Sequence, residues 1–78
     1  MSRHKSREHQ LLSDAFDFVR DRSAMVVGHV IKARAGLALP LNARQRHLDL
    51  AIVRTRQILD ELVTKRLALG WDRKDDAA

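Results

Sequence analysis

The chain has 78 residues, which is enough for one domain at most, and its 15 Lys and Arg against 10 Asp and Glu give a net charge of +5. A chain of this length buries only about 60% of the surface that its unfolded form exposes, so disulfides, a metal or oligomerisation usually help to stabilise it. Cysteine is absent, which excludes disulfides and metal sites built on thiolates. Oligomerisation is therefore the form of stabilisation that we expect.

The N-terminal segment, residues 1–7, is basic and polar, and it lacks the apolar stretch of a signal peptide. No window of the sequence approaches the ~18 continuous apolar residues that identify a membrane-spanning helix. From the sequence we expect a cytoplasmic protein without membrane contact.

The first predicted helix covers about residues 8–35, with Ser6 as its predicted N-cap. Its apolar residues recur at alternating spacings of four and three, and Ser23 fills the one polar position of this pattern. At ~100° per residue these positions share one side of a helix, as packing against another helix requires. The stripe consists of Leu12, Phe16, Val19, Ser23, Val26, Val30 and Ala33.

The second predicted helix covers about residues 43–69 and ends at Gly70, before a polar C-terminal tail, 71–78. The same alternation of spacings recurs, with Thr55 as the polar break. Neither stretch alternates with the period of two that a half-buried strand shows. The second stripe consists of Leu48, Ile52, Thr55, Leu59, Leu62 and Leu69.

The predicted turn covers residues 36–42. Gly36 suits the left-handed residue that closes a helix, and Pro40 cannot continue one. Asn42 is a good N-cap for the second helix. A short connection between two long helices makes them antiparallel neighbours, so the predicted fold is all-α, an antiparallel two-helix hairpin over residues 8–70.

A turn centred near residues 39 and 40 predicts which residues of the two arms face each other. Ser23 is expected opposite Thr55 or Arg56, and Gly28 opposite Ala51, where two small residues would allow a close approach. The alternative is a break of the first helix at Gly28, which would give a helix-turn-helix arrangement. We favour the unbroken helix because the apolar stripe keeps its phase through Gly28.

Further apolar residues lie away from the two stripes. A hairpin on its own would leave these residues exposed, and exposed apolar patches commonly mark contact surfaces. We therefore predict a homodimer that forms a four-helix bundle. The predicted partner or dimer interface consists of Phe18, Met25, Leu50 and Val53.

Basic residues gather at the loop end of the hairpin and at the N-terminus. A surface of this kind attracts polyanions and can contact phosphates without recognising bases. Scarcity of aromatic residues, two Phe and one Trp, disfavours sequence-specific single-strand recognition. The predicted polyanion-binding residues are Lys32, Arg34, Arg44 and Arg46, supported by Arg3, Lys5, Arg7, Arg54 and Arg56.

Catalytic and metal-binding patterns find little support. The chain has no Gly-rich phosphate loop and no Ser in a nucleophile-elbow setting. Asp14, Asp17 and Asp21 have helical spacing but are interspersed with arginines, which favours a solvated, salt-bridged face. His29 and His47, with Asp49 nearby, fall short of the three or four converging ligands that zinc needs. We expect no enzyme, no catalytic or metal site, no cofactor and no small-molecule substrate.

Two functions remain open. The first is a small non-enzymatic regulatory or adaptor protein whose basic helical surface binds a macromolecular partner, either nucleic acid or an acidic protein. The alternative is a protein–protein interaction module, such as an inhibitor, antiactivator, immunity factor or secretion chaperone, that binds its partner through exposed apolar helix faces.

Overall fold

The computed structural model describes residues 3–34 and 38–71, with side chains from Arg7 onward. The described residues form two helices, α1 (Arg3–Arg34) and α2 (Leu41–Leu69), which pack against each other along their length. Within these two ranges there is no strand. The prediction of an all-α hairpin is confirmed.

The register of the hairpin follows from contacts between the two arms. Arg22 contacts Gln57 near the middle, and Glu8 contacts Trp71 near the open end. Both pairs lie opposite each other in the register that a turn near residues 39 and 40 predicts. The antiparallel register is therefore confirmed.

Helix α1 begins at Arg3, rather than near residue 8. Ser6 is consequently an internal residue of the helix, and its assignment as the N-cap is wrong. The segment from Arg3 to Leu12 contains no Gly, Pro or β-branched residue, so nothing in its intrinsic preferences ends the helix earlier.

The ends of α2 are determined by Pro40 and Gly70. Pro40 is the N-cap, with φ −67° and ψ 157°, and its carbonyl accepts the N–H of Arg44 at 3.1 Å. The predicted cap, Asn42, is wrong, because Leu41 already belongs to the helix and Asn42 Oδ1 accepts the N–H of Ala43 at 2.9 Å. Gly70 ends the helix as predicted, in the left-handed region at φ 68°. The predicted closing residue of α1, Gly36, lies outside the described residues.

Gly28 neither breaks α1 nor brings the arms close together. The helix is continuous through it, so the helix-turn-helix alternative is wrong. A Cβ built on Gly28 would meet no atom within 4 Å, so the predicted close approach to Ala51 is also wrong. The residues that are buried between the arms are Ala15 and Ala51, which are 6% and 5% exposed.

The hairpin is a layer one helix thick, with extents of 57 × 24 × 12 Å. Its accessible surface is 6412 Å² for a mass of 8.9 kDa, whereas a compact monomer of that mass exposes about 4,800 Å². Two helices side by side enclose almost no interior. The excess surface means that the layer has broad faces available for another molecule.

Candidate interaction surfaces

The seam between the two helices is largely polar near its middle. Arg22 Nε donates to Gln57 Oε1 at 3.0 Å, and Arg54 Nη1 donates to the same oxygen at 3.2 Å. Arg54 Nε is buried and has no hydrogen-bond partner among the described residues. One amide oxygen therefore accepts from two guanidinium groups, and in the described part of the chain neither group has a carboxylate oxygen within 4 Å.

Two histidines continue the polar seam towards the loop. The Nδ1 atoms of His29 and His47 lie 3.1 Å apart, and their rings stack with centroids 5.3 Å apart. Desolvation lowers the pKa of His47 below its usual 6.5, and the positive charges of Lys32, His29 and Arg46 lower it further. The lowered pKa favours the neutral form of His47, and the tautomers of the two rings determine which nitrogen donates the hydrogen bond.

These two histidines do not form a metal centre of the usual kind. In residues 7–34 and 38–71 no three His, Cys, Asp or Glu side chains come together as metal ligands. The cations that surround His47 would also repel a divalent ion. The arrangement suits a hydrogen bond between the arms.

The apolar stripes that the sequence predicts to face each other are instead turned outward. Phe16 is 64% exposed and Leu59 is 59% exposed, while Leu48 and Ile52 are each half exposed. At ~100° per residue, each stripe lies roughly 80° around its helix from the residues that contact the other arm. The prediction that the stripes form the inside of the hairpin is therefore wrong for these residues, whereas Val26, Ala33 and Leu69 of the predicted stripes are half-buried.

Both stripes turn in the same sense, viewed along each helix's own chain direction. Because the helices are antiparallel, equal rotations bring both stripes to the same side of the plane that contains the two axes. Between residues 12 and 30 and between residues 48 and 63, the stripe positions on this side are all uncharged, and the Arg20 guanidinium lies at the edge, 5.6 Å from the ring centroid of Phe16. We call it the apolar face, and it consists of Leu12, Phe16, Val19, Ser23, Val27, Val30, Leu48, Ile52, Thr55, Leu59, Leu62 and Val63.

The predicted interface residues lie on the other side of that plane, which we call the opposite face. Phe18 and Leu50 are half-buried, whereas Met25 and Val53 are exposed. Phe18 borders the seam, where the Arg22 guanidinium lies 4.5 Å from its ring centroid. An open groove of about 260 Å³ adjoins it, lined by Phe18, Arg22, Gln57, Asp60, Glu61 and Thr64. The predicted set therefore shares a face, but that face is more polar than the apolar face.

The predicted polyanion-binding residues are distributed around the loop half of the hairpin. Lys32 and Arg46 flank the histidine pair on the opposite face, while Arg34 lies at the loop end of the apolar face. Arg44 Nε is used within the hairpin, where it donates to the carbonyl of Ala33 at 2.8 Å. Arg54 belongs to the seam, and Arg56 lies on the outer edge of α2.

The N-terminal members of that set extend towards the open end. Arg7 Nη1 donates to the carbonyl of Ala68 at 3.4 Å, which ties the start of α1 to the end of α2. The side chains of Arg3 and Lys5 lie outside the described residues. The loop-end cluster therefore carries the candidate site without them.

Charge is distributed unevenly along the hairpin. The loop half, residues 22–34 and 41–56, contains seven Lys or Arg and a single acidic residue, Asp49. The open half contains most of the carboxylates, and Asp17 and Asp21 form exposed ion pairs with Arg20 at 3.6 and 3.5 Å. These aspartates have the solvated, salt-bridged setting that the sequence predicts.

Comparison of the chain with protein-family models, curated proteins and solved structures found no match. Among the described residues, neither helix combines the length and apolarity that crossing a membrane requires.

Proposed function

We propose that this protein is a small, non-enzymatic regulatory or adaptor protein that dimerises through its apolar face into a four-helix bundle. The observation that carries the proposal is a pair of outward-turned stripes that carry no charged residue between residues 12 and 30 or between residues 48 and 63. Soluble monomers rarely leave a continuous apolar patch of more than a few hundred Å² exposed, and larger patches commonly mark interaction sites.

The size of the apolar face is adequate for a stable dimer. From Leu12 to Val30 the helix rises about 27 Å at 1.5 Å per residue, and the layer is 24 Å wide. As a flat projection this gives roughly 650 Å² per copy, or about 1,300 Å² in total, within the range of 1,200–2,000 Å² for stable interfaces. Stacking two layers also supplies the enclosed core that one layer lacks.

Two neighbouring residues of α2 provide a matched test. Ile52 lies on the apolar face and Val53 on the opposite face, and they are 50% and 46% exposed. Ile52→Asp is expected to raise the dimer dissociation constant at least 100-fold, because it buries an unpaired carboxylate. Val53→Asp is expected to change it less than threefold. Sedimentation equilibrium measures the association, and circular dichroism checks that both variants remain helical.

The reverse result would place the interface on the opposite face, with Phe18, Met25, Leu50 and Val53, as the sequence alone predicts. An unaltered chain that stays monomeric at millimolar concentration would reject self-association as the function of either face.

A second candidate function is contact with a polyanion through the loop half. It is favoured by the excess of Lys and Arg there, and by the position of Lys32 and Arg46 on the face that a dimer leaves free. Nucleic acid is the polyanion to test, because its backbone phosphates bind such surfaces through counterion release.

The test of this second function compares two double variants in binding to a 20-base-pair duplex at low salt. Lys32→Ala with Arg46→Ala removes two charges from the loop half and is expected to weaken binding at least tenfold. It should also reduce the slope of log affinity against log salt by about 2, since each phosphate contact contributes about 0.9. Arg20→Ala with Lys65→Ala removes two charges from the open half and should cost less than threefold. Equal losses would reject the loop half as the site.

A further inference from the structure

The apolar face is interrupted by two polar residues, Ser23 of α1 and Thr55 of α2. The contact between Arg22 and Gln57 places the two helices so that Ser23 and Thr55 lie side by side, at the same level of the hairpin. They form a single polar layer across the width of the face, which we call the hydroxyl layer.

The hydroxyl layer lies at the midpoint of the apolar face. Large apolar residues stand seven positions to either side, Phe16 and Val30 around Ser23, and Leu48 and Leu62 around Thr55. A two-fold axis relates the copies of a symmetric dimer. If that axis is parallel to the helices, each level of one copy faces the same level of the other copy. If the axis is perpendicular to the helices and passes through the midpoint of the face, the loop end of one copy faces the open end of the other, and the two midpoints still face each other. In both arrangements the two hydroxyl layers coincide when the apolar faces overlap fully.

This symmetry favours a second copy of the chain as the occupant of the face. An unrelated apolar partner would meet two hydroxyls in the middle of its contact and would need polar groups at the matching place. A second copy supplies them automatically, because the same layer lies at its own midpoint.

The hydroxyls have the hydrogen-bonding capacity that such a layer needs. Thr55 Oγ1 donates to the carbonyl of Ala51 at 2.8 Å, which leaves the lone pairs of the oxygen free to accept. A serine hydroxyl supplies one donor and two acceptor lone pairs. Burying a hydroxyl against leucine or phenylalanine is costly without a hydrogen bond, so a shifted register would be penalised at this layer.

We propose that the Ser23–Thr55 hydroxyl layer fixes the register of the dimer, by pairing with its own copy across the two-fold axis. The inference rests on the dimer of the proposed function. It assigns the layer a role in specificity at some cost in affinity, as a buried polar residue does in a coiled coil.

The test removes the two hydroxyls and leaves the shape of the face nearly unchanged. Ser23→Ala with Thr55→Val is expected to tighten self-association at least tenfold in sedimentation equilibrium, because four hydroxyls no longer need to be desolvated. The same variant is expected to lose its unique register. In a two-dimensional amide NMR spectrum, the unaltered dimer should give one cross-peak per amide, and the double variant should give several peaks or broadened ones.

Two control variants separate this role from a general effect of losing a hydroxyl. Thr64→Val removes a hydroxyl from the groove on the opposite face and should change neither the affinity nor the number of peaks. Thr55→Ser keeps a hydroxyl in the layer and should keep a single set of peaks.

A dimer in which Ser23→Ala with Thr55→Val retains a single set of peaks, whatever its affinity, would overturn the role of the layer and leave the proposed dimer standing. An unaltered chain that is monomeric at NMR concentrations would overturn both.

Discussion

The seam between the helices and the apolar face differ in a way that is unusual for a folded chain. Arginine, glutamine and histidine side chains meet inside the hairpin, and one arginine nitrogen is buried there with no hydrogen-bond partner in the part of the chain that the structure describes. Outside, Phe16, Ile52 and Leu59 remain at least half exposed. The layer is therefore more polar between its helices than on its apolar face. Since apolar burial is the main force that stabilises folded proteins, the proposed dimer would draw most of its stability from covering that face.

The largest expected effect is the difference in stability between two single variants, one that truncates a side chain of the apolar face and one that truncates a side chain of the seam. Leu59→Ala should lower the free energy of unfolding by about 2–3 kcal/mol, as for a leucine in a well-packed core. Arg22→Ala should lower it by less than about 1 kcal/mol, because the net contribution of one hydrogen bond is small. Urea unfolding at a fixed chain concentration measures both, since the stability of a dimer depends on concentration. Similar small losses in both variants would mean that Leu59 stays exposed and that the contrast between the regions has no energetic consequence.

Substitution of Gly28, which belongs to neither the seam nor the apolar face, is expected to change stability by an intermediate amount. It lies within α1 with open space where a Cβ would be, so Gly28→Ala is expected to raise the free energy of unfolding by about 1 kcal/mol. Gly70→Ala is the matched control, and it should lower stability by about 1 kcal/mol, because φ is 68° there. Self-association should be unchanged in Gly28→Ala, because the substitution stabilises α1 itself and does not alter the apolar face. A loss of stability in that variant would indicate that the space at Gly28 is filled by a partner.

The smallest expected effect is the pH dependence of the seam. The pKa of His47 is below its usual 6.5 in the folded chain, owing to desolvation and then to Lys32, His29 and Arg46. The unfolded chain therefore binds the proton first, so stability should be constant above pH 6.5 and should decline as the pH falls below it. Urea unfolding between pH 7.5 and 5.5 measures the decline, and His47→Gln should reduce its slope. Stability that rises as the pH falls from 7.5 to 5.5 would contradict a lowered pKa for His47 in the folded chain.

The sequence is sufficient to predict the two helices, their antiparallel order and their register. The spacing of apolar residues, the lengths of the helices and the turn at Pro40 can all be read from short stretches of sequence. The register follows from them, because a short turn fixes how far one helix can shift along the other. Gly70 was predictable for the same reason, since a glycine after a long periodic segment commonly closes a helix.

The sequence does not reveal which side of each helix faces the other arm. Periodicity shows that Phe16 and Leu59 belong to stripes, but not the angle between those stripes and the neighbouring helix. The pattern favours stripes inside the hairpin because apolar residues usually lie there. In the structure two small residues, Ala15 and Ala51, are buried instead and let the arms meet along a polar seam. The signal in the sequence is that polar residues share a helix side with alanines, since Arg22 lies seven positions after Ala15 and His47 lies four positions before Ala51.

The mass of the unaltered chain in solution tests the central claim most directly. If the apolar face is covered by a second copy, sedimentation equilibrium at micromolar concentrations should give twice the chain's 8.9 kDa, and dilution should yield the single chain reversibly. A mass of 8.9 kDa at every concentration up to the millimolar range would contradict the account.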